Sequence, residues 1–276
     1  MILIITVLVV VGTVTAAFAA GGDSGRRDPR SVVAAFYPLA FAAEQLGGPS
    51  RRVSNLTPAG AEPHDLELSP DDVATVKSAG AVLLMGHGFQ PQLERIAPDA
   101  ARLLDTPGLN RVGKDAHVWL DPLRYATLVR AIARQLHADP APLVARLRTL
   151  DREYRTGLAH CERRDLVTNH AAFGYLARRY GLNQVAVEGL SPDAEPAPRD
   201  LARVARLVRE HGATTVFSET LASPRVARTL GRETGATTAV LDPLEGLKPS
   251  ALARGEDYVT VMRANLAAIR KALGCR

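Results

Sequence analysis

Residues 165–190 read DLVTNHAAFGYLARRYGLNQVAVEGL. DLVTNH is an apolar strand that ends on polar residues. AAFGYLARRYGL follows at helical spacing, and NQVAVEGL is a second strand. Continuous apolar runs alternating with helices predict a parallel sheet covered on both faces. The alternation continues downstream. PRDLARVARLVREHG is a helix, ATTVFSE a strand, SPRVARTLGRETG a helix, TTAVLDP a strand, and a last helix runs through DYVTVMRANLAAIRKALG. Upstream the same layout occurs once more. SVVAAFYPLAFAAEQLGG reads as a buried strand and a helix stopped by Gly47-Gly48. RRVSNLTP is a strand, SPDDVATVKSAG a capped helix, AVLLMG a strand and LRYATLVRAIARQLHA a helix. Between the halves, Leu143, Leu147, Leu150, Tyr154 and Leu158 recur every three or four residues, with no glycine before Gly157. The expected fold is α/β: two Rossmann-like lobes with parallel sheets, residues 32–139 and 164–276, joined by a single long helix over 140–163.

The 276 residues are 46% hydrophobic and 23% charged, with a net charge of +5. That is globular composition. The arginines are scattered among acids, with no aromatic-rich basic stripe, which argues against nucleic-acid binding. Residues 1–20, MILIITVLVVVGTVTAAFAA, are apolar or small and uncharged. The run is long enough to span a bilayer, and Ala17-Phe18-Ala19 fits a signal-cleavage pattern. No Lys or Arg precedes it and no cysteine follows to take a lipid. A cleaved signal peptide, an uncleaved anchor and a mis-called start all stay open, and all point to export. Residues 21–31 are expected to be a flexible tether. The two cysteines, Cys161 and Cys275, are expected to form a disulfide in an oxidising compartment.

Four polar residues are read as lying at strand ends in this layout: His64, His117, His170 and Asp242. Ligands in open α/β sheets bind beyond the carboxyl ends of strands. Two of the four fall in each half, so facing lobes would bring them together. Three imidazoles and one carboxylate make a tetrahedral set that suits zinc, with Zn–N distances of about 2.0–2.1 Å. Pro63, Pro122 and Pro243 stiffen the neighbouring turns. His87 in MGHGF is the rival ligand. Glu219 in FSET is expected to orient a ligand imidazole from behind. Glu245 ranks below it. The fourth position is left open between Asp242, Glu219 and water.

Seven stretches occur in this order: AFYPLAFAAEQLGG, PAGAEPHDLELSPDDV, AVLLMGHGFQPQLER, HVWLDP, VTNHAAFGYLARRYGL, VFSE and VLDPLEGL. Together they resemble the zinc/manganese solute-binding proteins of ABC importers (cluster A-I, zinc type), from about Val32 to Gly274. The resemblance implies a non-catalytic extracytoplasmic receptor, at the outer face of the cytoplasmic membrane or the cell surface. It would be a monomer that binds Zn²⁺ and delivers it to an ABC permease. It places the ligands on His64, His117, His170 and Asp242. Histidine at position 170 favours zinc over manganese or iron, because a carboxylate there would harden the site. The stretch from Gly108 to Ala116 is short and holds no histidine, where zinc receptors of the family often carry a His- and acid-rich loop. A reading from another class, a zinc hydrolase, needs an open coordination position, which Asp242 would fill, and the chain has no HExxH pair.

Overall fold

The computed structural model describes residues 27–190 and 196–276. The expected signal or anchor (1–20) and most of the tether lie outside them. The first half runs β1 (Asp28–Ala34), α1 (Tyr37–Gly47), β2 (Arg52–Asn55), α2 (Pro70–Ser78), β3 (Ala79–Leu84), α3 (Pro91–Ile96), β4 (Ala101–Arg102) and α4 (Pro122–Leu136). Next come α5 (Ala141–Gly157), β5 (Asp165–Thr168), α6 (Gly174–Tyr180), β6 (Asn183–Ala186), α7 (Pro198–Glu210), β7 (Thr215–Ser218), α8 (Arg225–Thr234) and β8 (Thr237–Val240). Two helices, α9 (Pro249–Ala253) and α10 (Tyr258–Leu273), close the chain. Because β1 starts at Asp28, the last residues assigned to the tether are already strand.

The strands form two four-stranded parallel sheets, ordered β2-β1-β3-β4 and β6-β5-β7-β8. Val32 pairs with Val53 on one side and Ala81 on the other, while Val167 pairs with Val185 and Val216. In each sheet the second strand lies to one side of the first and the third to the other. That reversal opens a crevice at the carboxyl ends, where such folds bind ligands.

Local chemistry sets the element ends. Ser69 and Asp72 form a capping box ahead of α2, and Asp257 with Thr260 does the same for α10. Asp121 caps α4 by accepting from the Leu123 and Arg124 amides. The same buried carboxylate pairs with Arg124 and, from the second half, Arg179 of α6.

The connection between the sheets differs from the expected single long helix over 140–163. The helix ends at Gly157, and residues 158–163 run on without helix to β5. It is also not a free-standing rod: α5 packs between α4 and α10, which returns from the second sheet. Leu143, Leu147, Leu150 and Tyr154 are buried there, and the Tyr154 hydroxyl donates to the Met262 carbonyl at 2.6 Å. One apolar core therefore runs through the first sheet, these helices and α6, and a smaller one lies under α7 and α8. Cys161 and Cys275 are disulfide-bonded, tying the segment after α5 to the end of α10.

Candidate metal centre

Glu62 is extended before Pro63, as the residue ahead of proline prefers. A 3-10 turn over Pro63–Asp65 then presents His64. His117 stands at the head of another 3-10 turn, Val118–Leu120, just before the Asp121 cap. It is not at a strand end, because β4 stops at Arg102 and the following chain forms turns. His170 follows β5 directly, and Glu219 follows its sheet neighbour β7. These two lie at the reversal point of the second sheet.

His64, His117 and His170 come together with one carboxylate, that of Glu245. One ligand-type atom from each lies within 4.8 Å of all the others. Glu245 Oε1 is 3.1 Å from His64 Nε2, 2.9 Å from His117 Nε2 and 3.7 Å from His170 Nε2. The last distance is too long for a hydrogen bond. His170 Nε2 and Glu245 Oε2 are buried without a partner. Burial is nearly complete for His117, His170 and Glu245, and only the His64 side chain keeps some exposure, at 11%.

The opposite ring nitrogens are fixed by carboxylates. His117 Nδ1 lies 2.8 Å from Asp115 Oδ1, which also accepts from the His117 amide at 2.9 Å. His170 Nδ1 lies 2.6 Å from Glu219 Oε2, and its amide donates to the other Glu219 oxygen at 3.0 Å. An Nδ1–H held by a carboxylate leaves Nε2 as the free lone pair and raises its basicity. Lone pairs facing a carboxylate oxygen across a dry site repel unless a proton or a cation sits between them. A zinc ion with ligand bonds of about 2.0–2.1 Å sets its ligands roughly 3.3 Å apart, so a modest adjustment of these side chains would enclose it. The donor set fits such an ion.

The charges agree. Burial pushes His117 and His170 down, but the neighbouring carboxylates outweigh it: hydrogen bonds to Asp115 and Glu245 raise His117, while the hydrogen bond to Glu219 and the nearby charge of Glu245 raise His170 to about 10. Burial pushes Glu245 up, yet the three histidines hold it well below the usual carboxylate range. Burial and the neighbouring Glu245 push Glu62 up to about 9, so Glu62 is protonated at neutral pH. Without metal, the cluster is thus one buried anion surrounded by proton donors.

Asp242 is not among the four converging side chains. Its Oδ1 accepts from the Leu244 amide at 2.7 Å and its Oδ2 from the Thr220 hydroxyl at 2.6 Å. Asn265 brackets its backbone on both sides, at 2.9 and 2.7 Å. Asp242 therefore shapes the turn after β8, and Leu244, in the left-handed region at φ 57°, carries the chain round to aim Glu245 inward. A non-glycine residue in the left-handed region is uncommon, and the sequence carries no sign of the turn that brings Glu245, rather than Asp242, to the three histidines. His87 also stands apart: it is exposed and paired with Asp105 at 2.6 Å. Asp115 and Glu62 had no sequence signal beyond lying two residues before a histidine.

A family profile described as zinc-uptake complex component A, periplasmic, matches residues 32–272. The chain is 33% identical over 283 residues to the zinc-binding protein AdcA of Streptococcus pyogenes serotype M3, covering 87% of this chain and 55% of that protein. It is 32% identical over 288 residues to the high-affinity zinc uptake system protein ZnuA of Bacillus subtilis, covering 92% of this chain and 90% of that one. The crystal structure of the Zn(II)-bound ZnuA-like domain of Streptococcus pneumoniae AdcA matches with a TM-score of 0.77 at 32% identity, covering 90% of this chain and 99% of that one. The chain spans about half the length of the curated AdcA relatives it matches.

Proposed function

The chain belongs to the zinc-uptake complex component A family, and from that premise we propose that it is an extracytoplasmic zinc receptor serving an ABC importer. Zn²⁺ is its cargo. His64, His117, His170 and Glu245 are the ligands, and Asp115 and Glu219 orient two of the imidazoles. The observation that carries this reading is the convergence of three Nε2 atoms on one buried carboxylate, with two of the opposite nitrogens held by acids. Three imidazoles and one carboxylate favour zinc over harder cations such as manganese. A set of four protein ligands leaves no open position for a reacting water, which separates it from hydrolytic zinc sites.

Two ligands come from each half of the chain, so zinc would bridge the two sheets. The shared core through α4, α5 and α10 restrains wide hinge motion. Loading is then a local ordering of the His64 turn, the most exposed of the four, rather than a large closure. The receptor would act as a monomer at the outer face of the cytoplasmic membrane and hand zinc to a membrane permease.

The test is calorimetric titration of chelator-stripped protein with Zn²⁺ and with Mn²⁺, for wild type and His170→Ala. The expected result is one zinc per chain, bound far more tightly than manganese and greatly weakened in the variant. Tighter manganese binding, or zinc binding indifferent to His170, would refute the assignment.

A further inference from the structure

We propose that Tyr175 is a positioning residue for the metal, acting through Asp115 on His117. The helix that follows His170 would then set the orientation of a second ligand as well. The proposal rests on the reading of the cluster as a zinc site.

Tyr175 lies on α6, in the second half of the chain, and is fully buried. Its hydroxyl crosses to the loop that carries His117. It accepts from the Val112 amide at 2.8 Å and donates to the Asp115 carbonyl at 3.1 Å. The Asp115 amide also donates to the Val112 carbonyl at 3.2 Å. One hydroxyl thus pins both ends of a tight turn. That turn has little core of its own: Asn110, Val112, Gly113 and Lys114 are exposed and Arg111 is only half-buried. Its position is set from outside, by α6.

The other end of the turn is the group that orients His117. Asp115 Oδ1 takes both the amide and the Nδ1 of His117. Its second oxygen lies against Gly174, the residue before Tyr175: a Cβ there would come within 3.1 Å of Asp115 Oδ2. Adjacent on one helix, the Tyr175 hydroxyl therefore fixes the backbone of Asp115 while the bare backbone of Gly174 borders its carboxylate. Arg124, 4.9 Å over the Tyr175 ring, holds the ring in place. A carboxylate behind a metal-binding imidazole fixes its tautomer and its aim, and losing such a partner typically weakens metal binding by about 10–100-fold.

Tyr175→Phe keeps the ring and its contact with Arg124 and removes only the hydroxyl. Gly174→Ala keeps the hydroxyl and crowds the carboxylate. Asp115→Ala removes the carboxylate through which both are proposed to act. Zinc affinity, measured by chelator competition, should fall about 5-fold in Tyr175→Phe, the size of one neutral hydrogen bond. A loss of similar size is expected in Gly174→Ala, and about 10–100-fold in Asp115→Ala. Added to Asp115→Ala, each of the first two should cost less than about 2-fold, because the effects run through one group. The visible band of the Co²⁺-loaded protein should shift in each single variant. If Tyr175→Phe fails to fold, the Gly174→Ala cycle decides alone. Affinities within about 2-fold of wild type, or losses that add in full to Asp115→Ala, overturn the proposal. The ring-nitrogen NMR shifts of His117 in metal-free protein give a reading that needs no zinc. Should wild type take no zinc while Tyr175→Phe still moves those shifts, the receptor reading falls and the positioning role stands. Unmoved shifts overturn the positioning role.

Discussion

The indole N–H of Trp119 donates to the Pro243 carbonyl at 2.8 Å, across 124 positions of sequence. Trp119 lies two residues after His117, and Pro243 two before Glu245. The carbonyl of Trp119 in turn accepts from the Tyr258 hydroxyl of α10 at 2.6 Å. The turn that presents a first-half histidine and the turn that presents the second-half carboxylate are thus fastened to each other beneath the site. Both residues are buried, so neither bond is exchanged with water.

Trp119→Phe should therefore weaken both the fold and the metal site. It leaves the buried Pro243 carbonyl unpaired, which costs about 1–3 kcal/mol, and opens space beside Phe36 and Phe89, which meet the indole edge-to-face. Thermal denaturation should show a lower midpoint without zinc and a smaller gain on adding it. An unchanged zinc-induced gain would mean that the two turns hold their positions without this bond.

Glu245 and Asp242 separate cleanly by mutation. Glu245→Ala removes the proposed carboxylate ligand and should cost more than the roughly 10–100-fold expected for loss of an outer partner. Asp242→Asn keeps an acceptor for the Leu244 amide and should leave one zinc per chain, with an affinity change of at most about 10-fold. Titration of both variants decides the matter. The opposite ranking would return the carboxylate ligand to Asp242.

The pH dependence of stability should invert between the metal-free and zinc-loaded protein. In the metal-free fold His170 is raised from 6.5 to about 10. The stability this contributes is complete below about pH 6.5 and is lost as pH rises toward 10. Glu245 is held low by the histidines, so its contribution is present above the ordinary carboxylate value of 4.5 and lost as pH falls through its depressed one. Metal-free protein should accordingly be most stable near pH 5–6. Zinc must displace the imidazole protons, so its stabilising effect should grow from pH 6 to 8. Denaturation scans with and without zinc check the sign, and calorimetry in buffers of different ionisation enthalpy counts the protons released. A zinc effect that shrinks over that range would rule out protonated histidines in the metal-free site.

Sequence carried the sheets well, because a buried parallel strand must be a continuous apolar run and its covering helix must be periodic. DLVTNH and AVLLMG could hardly read otherwise, and the Ser69-Pro70-Asp71-Asp72 start of α2 is a local signal. His64, His117 and His170 were legible for a different reason: histidine is uncommon, and each stands at a turn. Glu245 was not, because its place depends on Leu244 adopting a left-handed turn supported by Asp242, Thr220 and Asn265. Asp242 reads as the ligand in sequence because it sits nearer the strand end, and a strand end is visible in sequence while the path of a turn is not. The limit of α5 at Gly157 was equally hidden, since the apolar spacing runs on to Leu158, which is buried outside the helix.

The disulfide should matter to stability and not to metal. Cys161 and Cys275 lie 114 positions apart. Cross-linking a loop of that length stabilises by at most about 4–5 kcal/mol in the chain-entropy account. Part of the native pairing would survive its loss. The Arg276 amide still donates to the His160 carbonyl at 3.0 Å, and the Arg163 amide to the Leu273 carbonyl at 3.1 Å. Cys161 precedes β5 while His170 follows it, so the bridge and the metal cluster sit at opposite ends of one strand. Cys161→Ser with Cys275→Ser should lower the urea midpoint, with zinc affinity within about 2-fold of wild type. A variant that keeps its midpoint would mean that the backbone contacts alone hold α10. Lost zinc binding in a folded variant would show that the strand transmits strain from one end to the other.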